Sequence, residues 1–295
     1  MDIPKIIHQI WWQGPLPEEY APWSASFSSF PGWSVQLWTE CDVKLLASLD
    51  EWECIVDARS LVEKVDIAKF IILAHRGGVF CDADMENQLP LDRLILDMDV
   101  VVAAVFVCPG THQWFINNAF IASIPNHAII LNMLTHIKST KYTFLDCIPV
   151  IRVNAHAGPL AWTTIVHTFC DSHQPHQTTL ESEKRCRLRV LPPGVVDLFG
   201  PPELNCLIPW APQQTINPHI THYAKGTWRG CCVTFIQTCS IGCIGILTHY
   251  MVSVNVNFTV TYNLKNVCSE CVSRLIYCRG KLFLFLFLSS SNLFI

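Results

Sequence analysis

The chain has 295 residues, a formal net charge of −4 and a pI near 6.3, which give no reason to expect nucleic acid as a partner. Hydrophobic residues make up 51% and charged ones 15%, at a mean hydropathy of +0.31, so membrane contact has to be considered. The fifteen cysteines follow no regular spacing and read as small buried apolar residues rather than as a disulfide framework. Met1-Asp2 leads, with no signal peptide expected, into Ile3–Trp11, a buried first strand. Trp33–Trp38 alternates apolar and polar residues and predicts a second strand, and Asp42–Leu49 a short helix.

The segment from Ser60 to Arg76 predicts a longer helix, because Leu61, Val65, Ala68, Ile71 and Ile72 recur at helical spacing. Ser60 with Glu63 fits a capping box, and Gly77-Gly78 supplies the stop. Asp66 and Lys69, three apart, share one helix face. Two readings of them stay open: a solvated surface ion pair, or a pair turned towards a cleft. A short apolar strand, Val79-Phe80-Cys81, then ends at Asp82-Ala83-Asp84. Two carboxylates at this spacing, where a strand gives way to a turn, can converge on one Mg²⁺ or Mn²⁺. Such hard cations take carboxylate oxygens and leave positions for phosphate oxygens. Strand–helix–strand alternation up to this point predicts an α/β sheet with parallel strands, whose ligands lie beyond the strands' carboxyl ends.

The run Lys64-Val65-Asp66-Ile67-Ala68-Lys69, then Leu73, then Gly77-Gly78-Val79-Phe80-Cys81-Asp82-Ala83-Asp84 resembles the signature of the sugar transferases that carry an Asp-x-Asp motif. That family includes the initiating α-1,6-mannosyltransferase, the inositol-phosphoceramide mannosyltransferases and, more distantly, the glucosylating clostridial toxins. Its usual pattern has an arginine where this chain has Lys69 and a tyrosine where it has Phe80. Lysine lacks the bidentate fork of arginine. The resemblance covers about residues 2 to 230. It implies a single nucleotide-sugar-binding α/β transferase domain of the GT-A-like type, with a mixed central sheet flanked by helices. It also implies retention of anomeric configuration.

Further site residues follow from the same resemblance. Trp11, with Trp12 the competing choice, stands where the family stacks the nucleotide base. Phe80, Asp66 and Lys69 would contact the donor, the last two gripping its sugar and phosphate. Asn117 or Asn118, in the strand-like stretch after the valine-rich Asp99–Val107, would reach donor hydroxyls, and Asn118 is the favoured one. Gly158, in Gly158-Pro159 before an apolar helix over Leu160–Phe169, would offer backbone N–H groups to donor or acceptor. His222 would complete a metal shell with Asp82 and Asp84, and Thr227-Trp228 would cover the donor. His127 reads as a helix-start residue, with the helix running to about Ser139, and His173-x-x-His176 as part of a loop.

After Arg229 no charged residue appears until Lys265. Residues 231–295 form a hydrophobic, cysteine-rich tail that reads either as a membrane anchor, with Val233–Val254 long enough to span a bilayer, or as a disordered extension. Asn257-Phe258-Thr259 is a glycosylation sequon, and Cys268, Cys271 and Cys278 lack a fourth ligand for zinc. The expected function is a metal-dependent hexosyltransferase moving mannose from GDP-mannose, or a sugar from a UDP-sugar, to a glycan or sphingolipid-type acceptor. It would act at a Golgi or other endomembrane if the tail is an anchor, and in the cytoplasm otherwise. The rival readings are an inactive membrane-attached relative and a metal-dependent phosphohydrolase.

Overall fold

The computed structural model describes residues 2–107, 114–140, 149–172, 187–197 and 219–223. The tail from residue 231, the span over 233–254, Thr227, Trp228, His173 and His176 lie outside them. Among the described residues no helix is long and apolar enough to cross a membrane.

Two sheets organise the chain. The larger has six strands in the order β2 (Ser34–Trp38), β1 (Ile6–Ile10), β3 (Gly78–Cys81), β6 (Trp114–Ser123), β5 (Val100–Val107) and β7 (Leu188–Leu191). β1 runs parallel to β2 and β3, as the strand–helix alternation predicts. β6 enters antiparallel to β3 and to β5, and β7 runs parallel to β5, so the sheet is mixed. A smaller sheet has the order β4 (Met85–Asn87), β9 (Ile220–His222), β8 (Val196–Asp197).

Both faces of the large sheet are buried along its central strands, whereas the edge strand β2 is largely exposed. Along β5, Val100, Val102 and Ala104 face one apolar cluster while Val101, Ala103 and Val105 face the other, the two-residue period of a strand. The first cluster is filled from α2 (Glu40–Leu46), α3 (Leu49–Asp57), α4 (Leu61–Arg76), α6 (Ala128–Ser139) and α8 (Pro159–Ser172). The second is filled from α1 (Ala21–Ser28), α5 (Asp92–Ile95) and the small sheet. α7 (Pro149–His156) precedes α8.

The predicted helix over Asp42–Leu49 is in fact the junction of two, α2 and α3. Ala47 is extended at ψ 143°, and Ser48 opens α3 with a capping box in which its hydroxyl accepts from the Glu51 N–H. At α4 the expected capping box is only half made. The Ser60 hydroxyl accepts from the Glu63 N–H, but the Glu63 carboxylate takes the Arg59 N–H instead of that of Ser60. Glu63 is turned inward, where the Arg152 Nε lies 2.9 Å and the His156 Nδ1 2.7 Å from its oxygens. This buried cluster ties α4 to α7.

α4 is buried without a break from Asp66 to Ala74, and its end requires both glycines. The Gly77 N–H donates to the Leu73 carbonyl, and Gly77 and Gly78 have φ of 61° and 91°. A Cβ on Gly77 would come within 2.8 Å of the Ser123 carbonyl, and one on Gly78 within 2.7 Å of the His8 Nε2. The chain thus reverses tightly from helix into β3, which aims β3 at Asp82. His8 locks the reversal. Its Nδ1 accepts from the Trp38 indole N–H at 3.0 Å, which leaves Nε2–H to donate to the Gly77 carbonyl at 2.9 Å. Burial lowers the His8 pKa to about 4, so the neutral ring that this pairing requires is the stable one.

Candidate active site

Asp82 and Asp84 sit where β3 ends and β4 begins, beyond the carboxyl ends of the parallel strands β1 and β3. The Asp82 N–H donates to the Ala119 carbonyl of β6, so neighbouring strands hold the start of the turn. β9 closes the other side, because the Tyr223 N–H donates to the Asp84 carbonyl and His222 pairs with Met85 in the ladder. The His222 Nε2 lies 3.1 Å from the Asp84 Oδ1. Asp82, Asp84 and His222 each bring one ligand atom to a group in which all such atoms lie within 4.8 Å of one another. His222 is 138 residues beyond Asp84 in sequence, and β9 is the element that returns it. The Asp82 side chain is the most open of the three, at 33% exposure, against 14% for Asp84 and 9% for His222.

Asp66 and Lys69 are not a surface pair. Both are buried, with the Lys69 ammonium 2.9 Å from the Asp66 Oδ1 and 3.5 Å from the Asp82 Oδ1. Lys69 also donates to the Asn118 carbonyl at 3.2 Å, and its ammonium lies 4.6 Å from the centre of the Phe80 ring. Phe80 is 1% exposed, so it underlies the site instead of facing a ligand. The two positions at which the motif departs from the usual Arg and Tyr are therefore in contact. The solvated-pair alternative does not hold, and Lys69 is enclosed behind Asp82.

Of the two asparagines, Asn118 points into this cluster. Its Nδ2 donates to the Asp66 Oδ1 at 3.0 Å and to the Ala157 carbonyl at 3.2 Å. Asn117 turns back on its own strand, accepting from the Ala119 N–H. The Gly158 N–H donates to the Val153 carbonyl and so closes α7 rather than pointing to a ligand. A Cβ there would stand 2.7 Å from that carbonyl, which is the reason for glycine at this corner. His127 caps α6, its Nδ1 accepting from the Ile129 N–H. Trp11 follows β1 and packs on Tyr20, ring centroids 4.9 Å apart. Its neighbour in the sheet face, Gln9, reaches the Asp82 carbonyl at 3.5 Å.

Sequence reasoning missed an aromatic wall on this side. Tyr20 contacts Trp23 at 5.2 Å, and Trp23 stacks on Tyr223 at 4.3 Å and 12°. The Tyr223 hydroxyl donates to Glu86, which raises its pKa to about 12. No motif marks these rings; only the β4–β9 pairing brings Tyr223 to α1.

Electrostatically the cluster is strained in one direction. Burial raises the Asp82 carboxyl above its ordinary range; Lys69 pulls it down and Asp84 adds to the rise. Asp66 is likewise raised by burial against the pull of Lys69. Lys69 keeps its proton firmly, since Asp66 and Asp82 outweigh the burial of the ammonium.

No family model matches the chain. It is 28% identical over 180 residues to inositol phosphoceramide mannosyltransferase 1 of Schizosaccharomyces pombe, an alignment covering 57% of this chain and 51% of that protein. It is 27% identical over 169 residues to mannosyl phosphorylinositol ceramide synthase SUR1 of Saccharomyces cerevisiae, covering 55% of this chain and 41% of that protein. The chain resembles the inositol phosphoceramide mannosyltransferases. It spans about half the length of these relatives, or less. Among solved structures, the PaToxG glycosyltransferase aligns with a TM-score of 0.44 at 16% identity, over 59% of this chain and 72% of that one.

Proposed function

We propose that the chain is a metal-dependent, retaining hexosyltransferase. It would move mannose from a nucleotide-sugar, GDP-mannose before a UDP-sugar, to a sphingolipid-type or glycan acceptor. The observation that carries the reading is the meeting of Asp82, Asp84 and His222 within 4.8 Å at the carboxyl ends of the sheet strands. The named activity of the two yeast relatives supplies the reaction class and the acceptor.

Two carboxylates and an imidazole suit Mn²⁺ or Mg²⁺, and the charge count agrees. Asp66, Asp82 and Asp84 are three carboxylates grouped with one ammonium, Lys69. When all are ionised and His222 is neutral, two negative charges are left over, matching one divalent cation. Burial is the largest cause of the raised carboxyls of Asp66 and Asp82, with Asp82 adding to the rise of Asp66 and Asp84 to that of Asp82. A bound divalent cation supplies Lewis-acid stabilisation of the departing diphosphate, a contribution of several kcal/mol.

The residues of the chain divide the remaining work. Asp84 and His222, held to each other and to β9, would fix the cation's position, and Asp82 would add the second carboxylate. Asp66, held by Asn118, is the candidate for the donor sugar. Trp11 is the candidate for the base, and Thr227 and Trp228 for covering the donor. No described residue is needed as a general base if the leaving phosphate takes the acceptor's proton. The tail over 233–254 is proposed as the attachment to an endomembrane, where a sphingolipid acceptor would be presented.

The test is turnover of GDP-mannose with Mn²⁺. Release of mannose to water, stopped by EDTA, is the expected outcome even without the acceptor. Release of inorganic phosphate from simple phosphoesters, with no sugar released, would favour a phosphohydrolase instead.

A further inference from the structure

The resemblance assigns Lys69 to the donor phosphate, but its surroundings argue for a different task. An ammonium has three N–H donors. Those of Lys69 have acceptors on three sides: the Asp66 Oδ1 at 2.9 Å, the Asn118 carbonyl at 3.2 Å and the Asp82 Oδ1 at 3.5 Å. The Phe80 ring covers a further side at 4.6 Å. The side chain is 2% exposed, whereas that of Asp82, immediately in front of it, is 33% exposed. A donor phosphate would meet Asp82 before it met Lys69, and could reach the ammonium only by stripping one of its acceptors.

We propose that Lys69 is a positioning residue acting through Asp82, and that Asp66, Asn118 and Phe80 form the seat that holds it there. The inference rests on the reading of Asp82 as a cation ligand. Every part of the seat comes from a rigid element. Asp66 and Lys69 lie three apart on the enclosed helix α4, Phe80 on β3 and Asn118 on β6. The Asn118 Nδ2 fixes Asp66 from behind, and its backbone carbonyl takes the lysine. With Oδ1 of Asp82 tethered to this seat, the plane of the carboxylate is set before any ligand arrives. The seat also explains why lysine is paired with phenylalanine. A single compact ammonium is satisfied by these three acceptors and a ring face. A guanidinium would bring five N–H donors to the same space.

The experiment is a double-mutant cycle on the full chain. Mn²⁺ affinity is read by electron paramagnetic resonance without nucleotide, and GDP affinity by calorimetry without metal. For a residue that acts through Asp82, Lys69→Met shifts the Mn²⁺ Kd by about tenfold or more, and by less than about twofold in the Asp82→Asn background. GDP affinity without metal stays within about twofold of wild type. A Lys69→Met shift that survives undiminished in Asp82→Asn would overturn the proposal. So would loss of metal-free GDP binding with the Mn²⁺ Kd unchanged, the result expected of a phosphate ligand. If wild type itself binds no Mn²⁺, the cation reading fails, and the metal-free GDP comparison alone decides whether Lys69 touches the donor. Should Lys69→Met fail to fold, Asp66→Asn/Lys69→Met measured against Asp66→Asn removes both buried charges together and carries the same comparison.

Discussion

α4 carries two buried charge clusters within two turns of each other. Glu63 meets Arg152 and His156 on the side of α7, and Asp66 and Lys69 meet Asp82 on the side of the sheet. Glu63, Asp66 and Lys69 stand at steps of three along the same helix. The residue types are alike, yet the first cluster is closed and the second is open. Glu63 is fully buried, its opposite charge is supplied from within, and its pKa falls to about 2, because His156, Arg152 and the Arg59 N–H outweigh its burial. In the second cluster carboxylates outnumber cations, their pKa values rise, and Asp82 reaches solvent. A buried charge cluster that balances itself is a structural tie. One that is short of positive charge and open on one side is the cluster proposed to take a cation.

The contrast can be broken most forcefully at the closed cluster. Arg152→Met strands the Glu63 carboxylate in the interior, and removal of one partner of a buried pair costs about 3 kcal/mol or more. Urea unfolding should report that loss. Mn²⁺ affinity, measured on the fraction that remains folded, should stay within about twofold. A variant that loses the cation while keeping its stability would show that the two clusters are one.

The second prediction concerns acid. The pKa of His8 is about 4 in the fold, against 6.5 for the free side chain, so the unfolded chain binds the proton more readily. The stability it contributes is fully present above about pH 6.5 and is lost as the pH falls through about 4. The shift of about 2.5 units corresponds to about 3 kcal/mol at most. His8→Gln, which keeps an acceptor for Trp38 and a donor for Gly77, should be less stable at pH 7 but flatter between pH 6.5 and 4. Equal pH slopes in the two proteins would remove His8 as the cause. Glu63 adds its own loss only lower, between about pH 4.5 and 2.

A smaller effect is expected at His222, the imidazole proposed as third ligand. His222→Ala should weaken Mn²⁺ binding by about tenfold, since it removes one imidazole and no charge. An unchanged Kd would leave the cation to the carboxylates alone.

Much of this was legible from local pattern. The helical spacing from Leu61 to Ile72, the Ser60 cap and the Gly77-Gly78 stop are short-range features, and the structure has α4 over Leu61–Arg76. β5 was likewise readable from its run of valines, and the strand bearing Asn118 from the resemblance. What failed was set by distant partners or by competing caps. Ser48 divides α2 from α3 because its hydroxyl and Glu51 make a better helix start than a continuous helix would allow. Glu63 abandons its expected cap because Arg152 and His156, 89 and 93 residues away, claim its carboxylate. α1 begins Ala21-Pro22-Trp23 and has a single buried residue, Phe27, so no periodicity announces it. The burial of Lys69 has no sequence signal either, because a lysine three residues from an aspartate looks the same on a solvated face.

Asp82, Asp84 and His222 are proposed to hold a divalent cation that in turn holds a nucleotide diphosphate. Calorimetry of GDP with and without Mn²⁺, on wild type and Asp84→Asn, tests it most directly. Mn²⁺ should strengthen GDP binding to wild type by about a hundredfold and leave Asp84→Asn unaffected, with both proteins unfolding at similar temperatures. Equal enhancement by Mn²⁺ in the two proteins would contradict it, and would remove Asp84 from the site.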